Sequence, residues 1–290
     1  MCRCGYKAVG TGGVWGTMSS KSSVLRFKQN RVFALLGIGG VGLLLLLGGV
    51  IGGISFLFPS CSFVVLLKKI LYKGIRRCAG VHKVVVRGSI CKEGVFAVSN
   101  HISYLDIVLL GEQAPYVFIA KEEVKNWPLV GWIAKKFGTI FIKRTLRGIH
   151  NGQTRIKKTI QQNKAVLVFA EGTTGNGIVT EPFYHAFFEL HPEVKIQPIS
   201  ICYTEVNGFP ALSWVRRYLS WIGNVALFPH LFKCGGWRSL TVVIIFHPPF
   251  TAGSSRKLSA ARSVSSVRAG ISQSLKMQDF LFLNSLSKAL

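Results

Sequence analysis

The chain has 290 residues, 36 Lys and Arg against 11 Asp and Glu, a formal net charge of +25, and 49% hydrophobic but only 16% charged residues. With a mean hydropathy of +0.38, it is too apolar for a disordered chain. It is also too poor in charge for an ordinary soluble enzyme, where about a quarter of residues are charged. Eleven dispersed carboxylates argue against a calcium site or a paired-carboxylate glycosidase, both of which need clustered acids.

Residues 1–30, rich in Gly, Ser and Thr, read as a disordered basic N-terminus. Residues 32–67 then run for 36 positions without Asp, Glu, Lys or Arg. A bilayer-crossing helix needs about 20 apolar residues, and the apolar core of a secretory signal has only about 7–15. Eight glycines lie inside the run (Gly37, Gly39, Gly40, Gly42, Gly48, Gly49, Gly52, Gly53), and Pro59 breaks it. Both flanks are basic, with Lys21, Arg26, Lys28 and Arg31 before and Lys68, Lys69, Lys73, Arg76 and Arg77 after. Positive charge prefers the cytoplasmic side. Two basic flanks therefore fit a hairpin that enters and leaves on one face, with its bend near the glycines; one tilted span fits nearly as well. The organisation expected is residues 1–30 disordered, 31–77 membrane anchor, 78–275 one folded domain and 276–290 a tail.

No acidic residue precedes Glu93. Such a surface meets phosphate, on nucleic acid or on lipid. The apolar run favours an anionic membrane, and no helix-turn-helix, RRM or zinc-finger signature supports nucleic acid. Seven scattered cysteines without C-x-x-C spacing read as free thiols in a reducing compartment. His82, His150, His185, His191, His230 and His247 show no metal-type pairing, so no metal is expected.

Beyond residue 80, short apolar runs at 84–86, 95–98, 116–119, 139–142, 165–169, 196–201 and 240–246 read as buried strands. Helix-length segments lie at about 103–111, 126–137, 147–162 and 254–275. The alternation predicts an α/β domain with a mostly parallel central sheet flanked by helices.

Three strand ends carry candidate chemistry. In an open α/β sheet, ligands bind outside the carboxyl ends of strands. Ser99-Asn100-His101-Ile102-Ser103-Tyr104-Leu105-Asp106 follows one strand and opens a helix. There Asp106 can fold back onto the His101 imidazole and prepare it as a general base. Read blandly, Asn100 caps the helix, His101 is a first-turn residue and Asp106 faces solvent. Glu171-Gly172-Thr173-Thr174-Gly175 follows another strand and offers backbone N–H groups and hydroxyls to an anion, or is a plain connecting loop. Lys143 and Arg144 end a third, where an arginine can hold a phosphate through two parallel hydrogen bonds, or where two surface cations simply meet water.

Taken together, Asn100-His101-x4-Asp106, the 121–144 block, Glu171-Gly172-Thr173 and Val194-Lys195-Ile196-Gln197-Pro198-Ile199 resemble the four ordered blocks of the 1-acyl-glycerol-3-phosphate acyltransferase family. The spacing agrees, with about 40 residues from histidine to arginine and about 27 on to glutamate. Trp127-Pro128-Leu129-Val130-Gly131-Trp132 is similar to its bacterial members. The resemblance covers roughly residues 70–250.

It implies that His101 deprotonates the free hydroxyl of a lysophospholipid, which attacks the thioester of acyl-CoA or acyl carrier protein, with Asp106 orienting the base. It implies that Arg144, with Lys143, binds the acceptor phosphate, that Glu171, Gly172 and Thr173 line the acceptor site, and that Pro198 shapes the acyl-chain side. The product would be phosphatidic acid, with no cofactor beyond the acyl co-substrate, at a bacterial inner membrane with the site on the cytoplasmic face. Ala170 stands where proline is common, Gly175 and Asn176 where Ser and Asp often follow, Tyr184 where lysine is common, and Asn224 where aspartate is usual. These departures leave acceptor identity open, with a lyso-ornithine lipid as one alternative. A catalytically silent lipid-binding protein is a second, against which the intact His101/Asp106 pair argues.

Overall fold

The computed structural model describes residues 31–287 apart from 59–60, 144, 224 and 238. The expectation for residues 1–30 therefore lies outside the described residues. The chain opens with two helices, α1 (Arg31–Leu57) and α2 (Ser62–Cys78). Cβ positions built on Gly37 and Gly40 of α1 fall against Cys78, and one on Gly48 against Leu71, so the two helices run antiparallel. This is a hairpin, but its bend is not at the glycines. α1 passes through all eight glycines as one helix and ends at Leu57. The glycines instead let neighbours approach. An added Cβ at Gly37 would lie 2.4 Å from the Cys78 carbonyl oxygen, closer than any side chain tolerates, and small residues are what allow helix backbones to meet. α1 is also the one helix among the described residues long and apolar enough to cross a membrane.

The seven apolar runs all become strands. These are β1 (Val81–Gly88), β2 (Val95–Ser99), β3 (Val117–Lys121), β4 (Ile140–Ile142), β5 (Val166–Phe169), β6 (Lys195–Val206) and β8 (Leu240–Phe246). Two short strands, β7 (Phe209–Pro210) and β9 (Phe250–Thr251), pair antiparallel with β6. The main order is β1-β8-β6-β2-β5-β3-β4. Every neighbouring pair along it is parallel except β6–β8. The mostly parallel sheet read from the sequence is therefore what the chain builds. β2, β5 and β8 are buried along their whole length, as a sheet covered on both faces requires.

The helices sort by face. α3 (Leu105–Gln113), α6 (Ser213–Leu219) and α7 (Leu227–Gly235) pack with α2 on one core, through Leu109, Leu110, Val215, Leu219, Leu231 and Ile75. α5 (Leu146–Gln161) and the final helix α8 (Arg256–Ser287) pack on the other, through Ile156, Ile160, Ala260 and Val267. α4 (Val130–Lys136) sits against α1, with Trp132 beside Gly49 and Gly52. α6 and α7, of seven and nine residues, lie outside the helix-length segments expected from the sequence. α8 runs on to Ser287, past residue 275 where a tail was expected to begin.

Candidate active site

The site forms where β2 ends beside the parallel strands β5 and β6. The last register pairs of β2 are Ser99↔Phe169 and Ser99↔Ile199. Beyond them the Asn100 side chain takes over the ladder. Its amide donates to the Ile201 carbonyl at 2.9 Å, and its oxygen accepts from the Ile201 N–H at 2.8 Å. This replaces backbone pairing and frees the main chain to turn into the loop that carries His101.

Asp106, in the first turn of α3, organises that loop. Its Oδ2 accepts from the N–H groups of Ile102 (2.6 Å) and Ser103 (2.9 Å) and lies 2.9 Å from His101 Nδ1. Its Oδ1 accepts from the Tyr203 hydroxyl at 3.0 Å. The Asp106 side chain is 0% exposed, and that of His101 is 16% exposed. The solvent-facing alternative for Asp106 is thus wrong, for a plain reason. A fully buried carboxylate must be hydrogen-bonded, and four donors surround this one at a helix N-terminus, where negative charge is favoured.

An ionised Asp106 accepts the proton on Nδ1, which leaves the lone pair of His101 on Nε2. The Phe169 ring lies under the imidazole, with centroids 3.9 Å apart and planes at 13°. The arrangement presents one basic nitrogen from a ring fixed at its edge and its face. That suits proton abstraction from a hydroxyl.

The loop after β5 wraps around the same residue. Gly172, at φ +68°, makes the tight turn, its N–H donating to Phe169 O at 3.1 Å. Glu171 Oε1 accepts from the His101 N–H at 2.7 Å, and Oε2 accepts from the Glu181 N–H at 2.9 Å. The Gly175 N–H donates to the His101 carbonyl at 2.7 Å. Glu171 is only 4% exposed. Burial pushes its carboxyl up to about 7, against the two N–H bonds that pull it down, with the Asp106 and Glu181 charges adding to the rise. A third segment closes the site. Trp221 donates its N–H to Ile102 O at 2.9 Å, and its carbonyl accepts from the Thr174 hydroxyl. Its ring meets Tyr104 and Trp127 edge to face.

His101, Asp106, Glu171 and Gly172 are therefore brought together, with Thr173 exposed on the same loop. Asn100, His101, Glu171, Gly175, Thr180 and Cys202 line one niche with their neighbours. Pro198 is not part of it. It is buried within β6 opposite Val98, and its carbonyl accepts from the His247 N–H. Lys143 is exposed just after β4, at the same carboxyl edge of the sheet but three strands from β2, or about 14 Å at 4.7–4.9 Å per strand. Arg144 lies outside the described residues. Among the described residues no group of three or more His, Cys, Asp or Glu side chains is arranged to hold a metal ion.

The Tyr203 bond to Asp106, the stacking of Phe169 under the imidazole and the Trp221 bond to Ile102 were not expected from the sequence. Tyr203 alone left a signal, a phenol inside an apolar strand whose hydroxyl needs a partner when buried.

Residues 76–202 match the family model described as Acyltransferase. The lyso-ornithine lipid O-acyltransferase of Brucella abortus (strain 2308) is 37% identical over 190 residues, covering 61% of this chain and 71% of that one. The chain belongs to the acyltransferase family. The 1-acyl-sn-glycerol-3-phosphate acyltransferase of Neisseria gonorrhoeae is 33% identical over 118 residues, 40% of this chain and 46% of that one. A solved structure, the 1-acyl-sn-glycerophosphate (LPA) acyltransferase PlsC from Thermotoga maritima, aligns with a TM-score of 0.49 at 21% identity, over 81% of this chain and 96% of that one. The matched region of this acyltransferase contains His101, Asp106 and Glu171.

Proposed function

We propose that the protein transfers an acyl group from acyl-CoA or acyl carrier protein to the free hydroxyl of a lysolipid. The observation that carries this reading is the His101–Asp106 pair, with a buried carboxylate on Nδ1 and a partly exposed ring whose Nε2 holds the lone pair. In the proposed step, Nε2 takes the hydroxyl proton as the oxygen attacks the thioester carbonyl. The C–O bond forms, the C–S bond breaks, and the departing thiolate takes the proton back from the imidazolium. Asp106 stays ionised throughout and stabilises the transient positive ring. No metal or other cofactor enters.

Two acceptors fit this chemistry. Lyso-ornithine lipid is favoured by the relative of that name and by Tyr184, whose ring packs where a Cβ on Gly172 would sit, at a position where a lysine is common in the resembled family. 1-Acyl-glycerol-3-phosphate, giving phosphatidic acid, is favoured by Lys143 at the sheet's carboxyl edge, with Arg144 as its partner on the phosphate. Gly172 and Thr173 line the acceptor side in either case.

Residues 31–77 serve as the anchor and 78–275 as the catalytic domain. α1 lies along the domain instead of standing away from it. Its glycines meet Cys78, Leu71 and Ile133 in turn, and Lys136 Nζ sits 3.8 Å from the centroid of Phe56 near its far end. A crossing pose would carry that cation and the docked domain into hydrocarbon, which is costly. This supports a hairpin seated in one leaflet; the site is placed on the cytoplasmic face of a bacterial inner membrane on the ground that basic flanks prefer that side.

The test is acyl transfer by purified membranes. Labelled acyl-CoA and acyl carrier protein are each offered with lyso-ornithine lipid and with 1-acyl-glycerol-3-phosphate, and His101→Ala serves as control. Transfer to the first acceptor alone selects it, and transfer to the second alone restores the phosphatidic acid reading. Absence of transfer to both, or turnover retained by the control, overturns the proposed reaction.

A further inference from the structure

The carboxylate of Glu171 faces the chain, not the mouth of the niche. Both of its oxygens accept backbone N–H groups, from His101 and from Glu181, and the side chain is almost wholly buried. Four residues on, Gly175 donates to the carbonyl of that same histidine. His101 thus has its own N–H and its own C=O held from one loop, while Asp106 holds its ring edge and Phe169 its ring face. A loop built only to bind an anion would leave its N–H groups free for that anion. This one spends an N–H and its acid on the two peptide groups that flank the base.

We propose that the 171–175 loop is a clamp that positions His101, with Glu171 as a positioning residue that does not touch the acceptor. The proposal rests on the reading of His101 as the general base. Gly175 belongs to the clamp for a steric reason. A Cβ there would lie 3.1 Å from Glu171 Oε2, which must give way, and 3.5 Å from His101 O, an ordinary contact. A base displaced by a fraction of an ångström loses rate, not substrate affinity.

The clamp also has a protonation state. The groups facing Glu171 are Asp106 from α3, Glu181 from its own connection, His101 from the β2–α3 loop and Cys202 from β6, with Arg268 of α8 reaching Thr180 O nearby. Burial leaves the carboxyl titrating near 7. An ionised carboxylate accepts N–H groups more strongly than a neutral acid. The clamp therefore tightens as pH rises through 7.

The experiment compares the wild type, Glu171→Gln and Gly175→Ala as full-length protein in membranes, using whichever lysolipid the wild type acylates. Gln keeps the shape but turns an NH2 group toward one N–H. Ala leaves every ionisable group in place and only presses on the loop. The expected result is a kcat lowered on the order of 10²-fold in Glu171→Gln and about ten-fold in Gly175→Ala, with acceptor KM within about two-fold of wild type. The rising limb of the wild-type kcat–pH profile should carry an ionisation near 7 in addition to that of the base, and Glu171→Gln should lack it. A raised acceptor KM with kcat retained would place Glu171 on the acceptor and overturn the clamp, as would a wild-type profile without that extra ionisation. A wild type inactive on every lysolipid defeats the function reading instead. Amide exchange over residues 99–106 then still tests the clamp, because exchange must quicken in both variants and unchanged protection overturns it.

Discussion

The niche around His101 and the α1–α2 hairpin are built on opposite terms. In the niche, one carboxylate gathers four donors, another gathers two, and an asparagine substitutes for a stretch of β-ladder. Direction decides everything there. The hairpin is held by close approach, with Gly37, Gly40 and Gly48 fitted against Cys78 and Leu71. Loss of a polar group should therefore be felt chiefly in the first region, and added volume chiefly in the second.

The sharpest break of that contrast is His101→Ala. It should remove activity by about 10⁴-fold, the upper end of what a general base supplies, while the protein stays in the membrane fraction. Release from membranes would show that the two regions are coupled. Asp106→Asn comes next. It keeps the shape but presents an amide to donors that need an acceptor, and should cost on the order of 10³-fold in kcat, measured under saturating acceptor. Tyr203→Phe removes a single donor from Asp106 and should cost about ten-fold, the value of one hydrogen bond to a charged group. An unchanged kcat in this variant would mean that the Oδ1 side of Asp106 is irrelevant to the base.

The hairpin answers to a different kind of change. Gly37→Ala adds one methyl group, yet its Cβ would meet the Cys78 carbonyl oxygen at 2.4 Å. Overpacking of this kind costs about 1–3 kcal/mol, read as a lower melting temperature in detergent. The kcat of the molecules that remain folded should not change, and a fall matching that of Tyr203→Phe would erase the contrast.

The smallest effect is the pH dependence of stability carried by Glu171. Its folded carboxyl is raised by burial, to about 7 from an ordinary 4.5. Between those values the folded state binds more protons than the unfolded one, so stability from this group is greatest below pH 4.5 and is lost as pH climbs to 7. Melting temperatures at pH 5 and pH 7.5 should differ less in Glu171→Gln than in the wild type. An equal difference would mean that the carboxyl titrates in its ordinary range.

Legibility in the sequence followed the same divide. The seven main strands were readable because a strand covered on both faces is a short unbroken apolar run, as at 165–169 and 240–246. His101, Asp106 and Glu171 were readable because polar groups directly after such runs stand out. Tyr203 and Trp221 were not, because their bonds to Asp106 and Ile102 cross about a hundred residues of chain and no local pattern encodes such a pairing. Pro198 sits inside the sheet opposite Val98, and its place in a motif does not by itself say what its ring adjoins. The hairpin's bend was misplaced because glycine reads locally as a breaker, whereas these glycines act as clearances for a neighbouring helix.

One feature of the sheet bears on how the molecule is made. β1 follows directly on the hairpin, yet its sheet partner is β8, near the other end of the chain. Translation at about 5–20 residues per second leaves β1 without that partner for on the order of ten seconds. Throughout that interval the two helices made before β1 are complete, the first long and apolar, the second amphipathic with five cations. Until then β1 is an open strand edge, and the α1–α2 hairpin that packs beside it is the neighbour already in place to shield it.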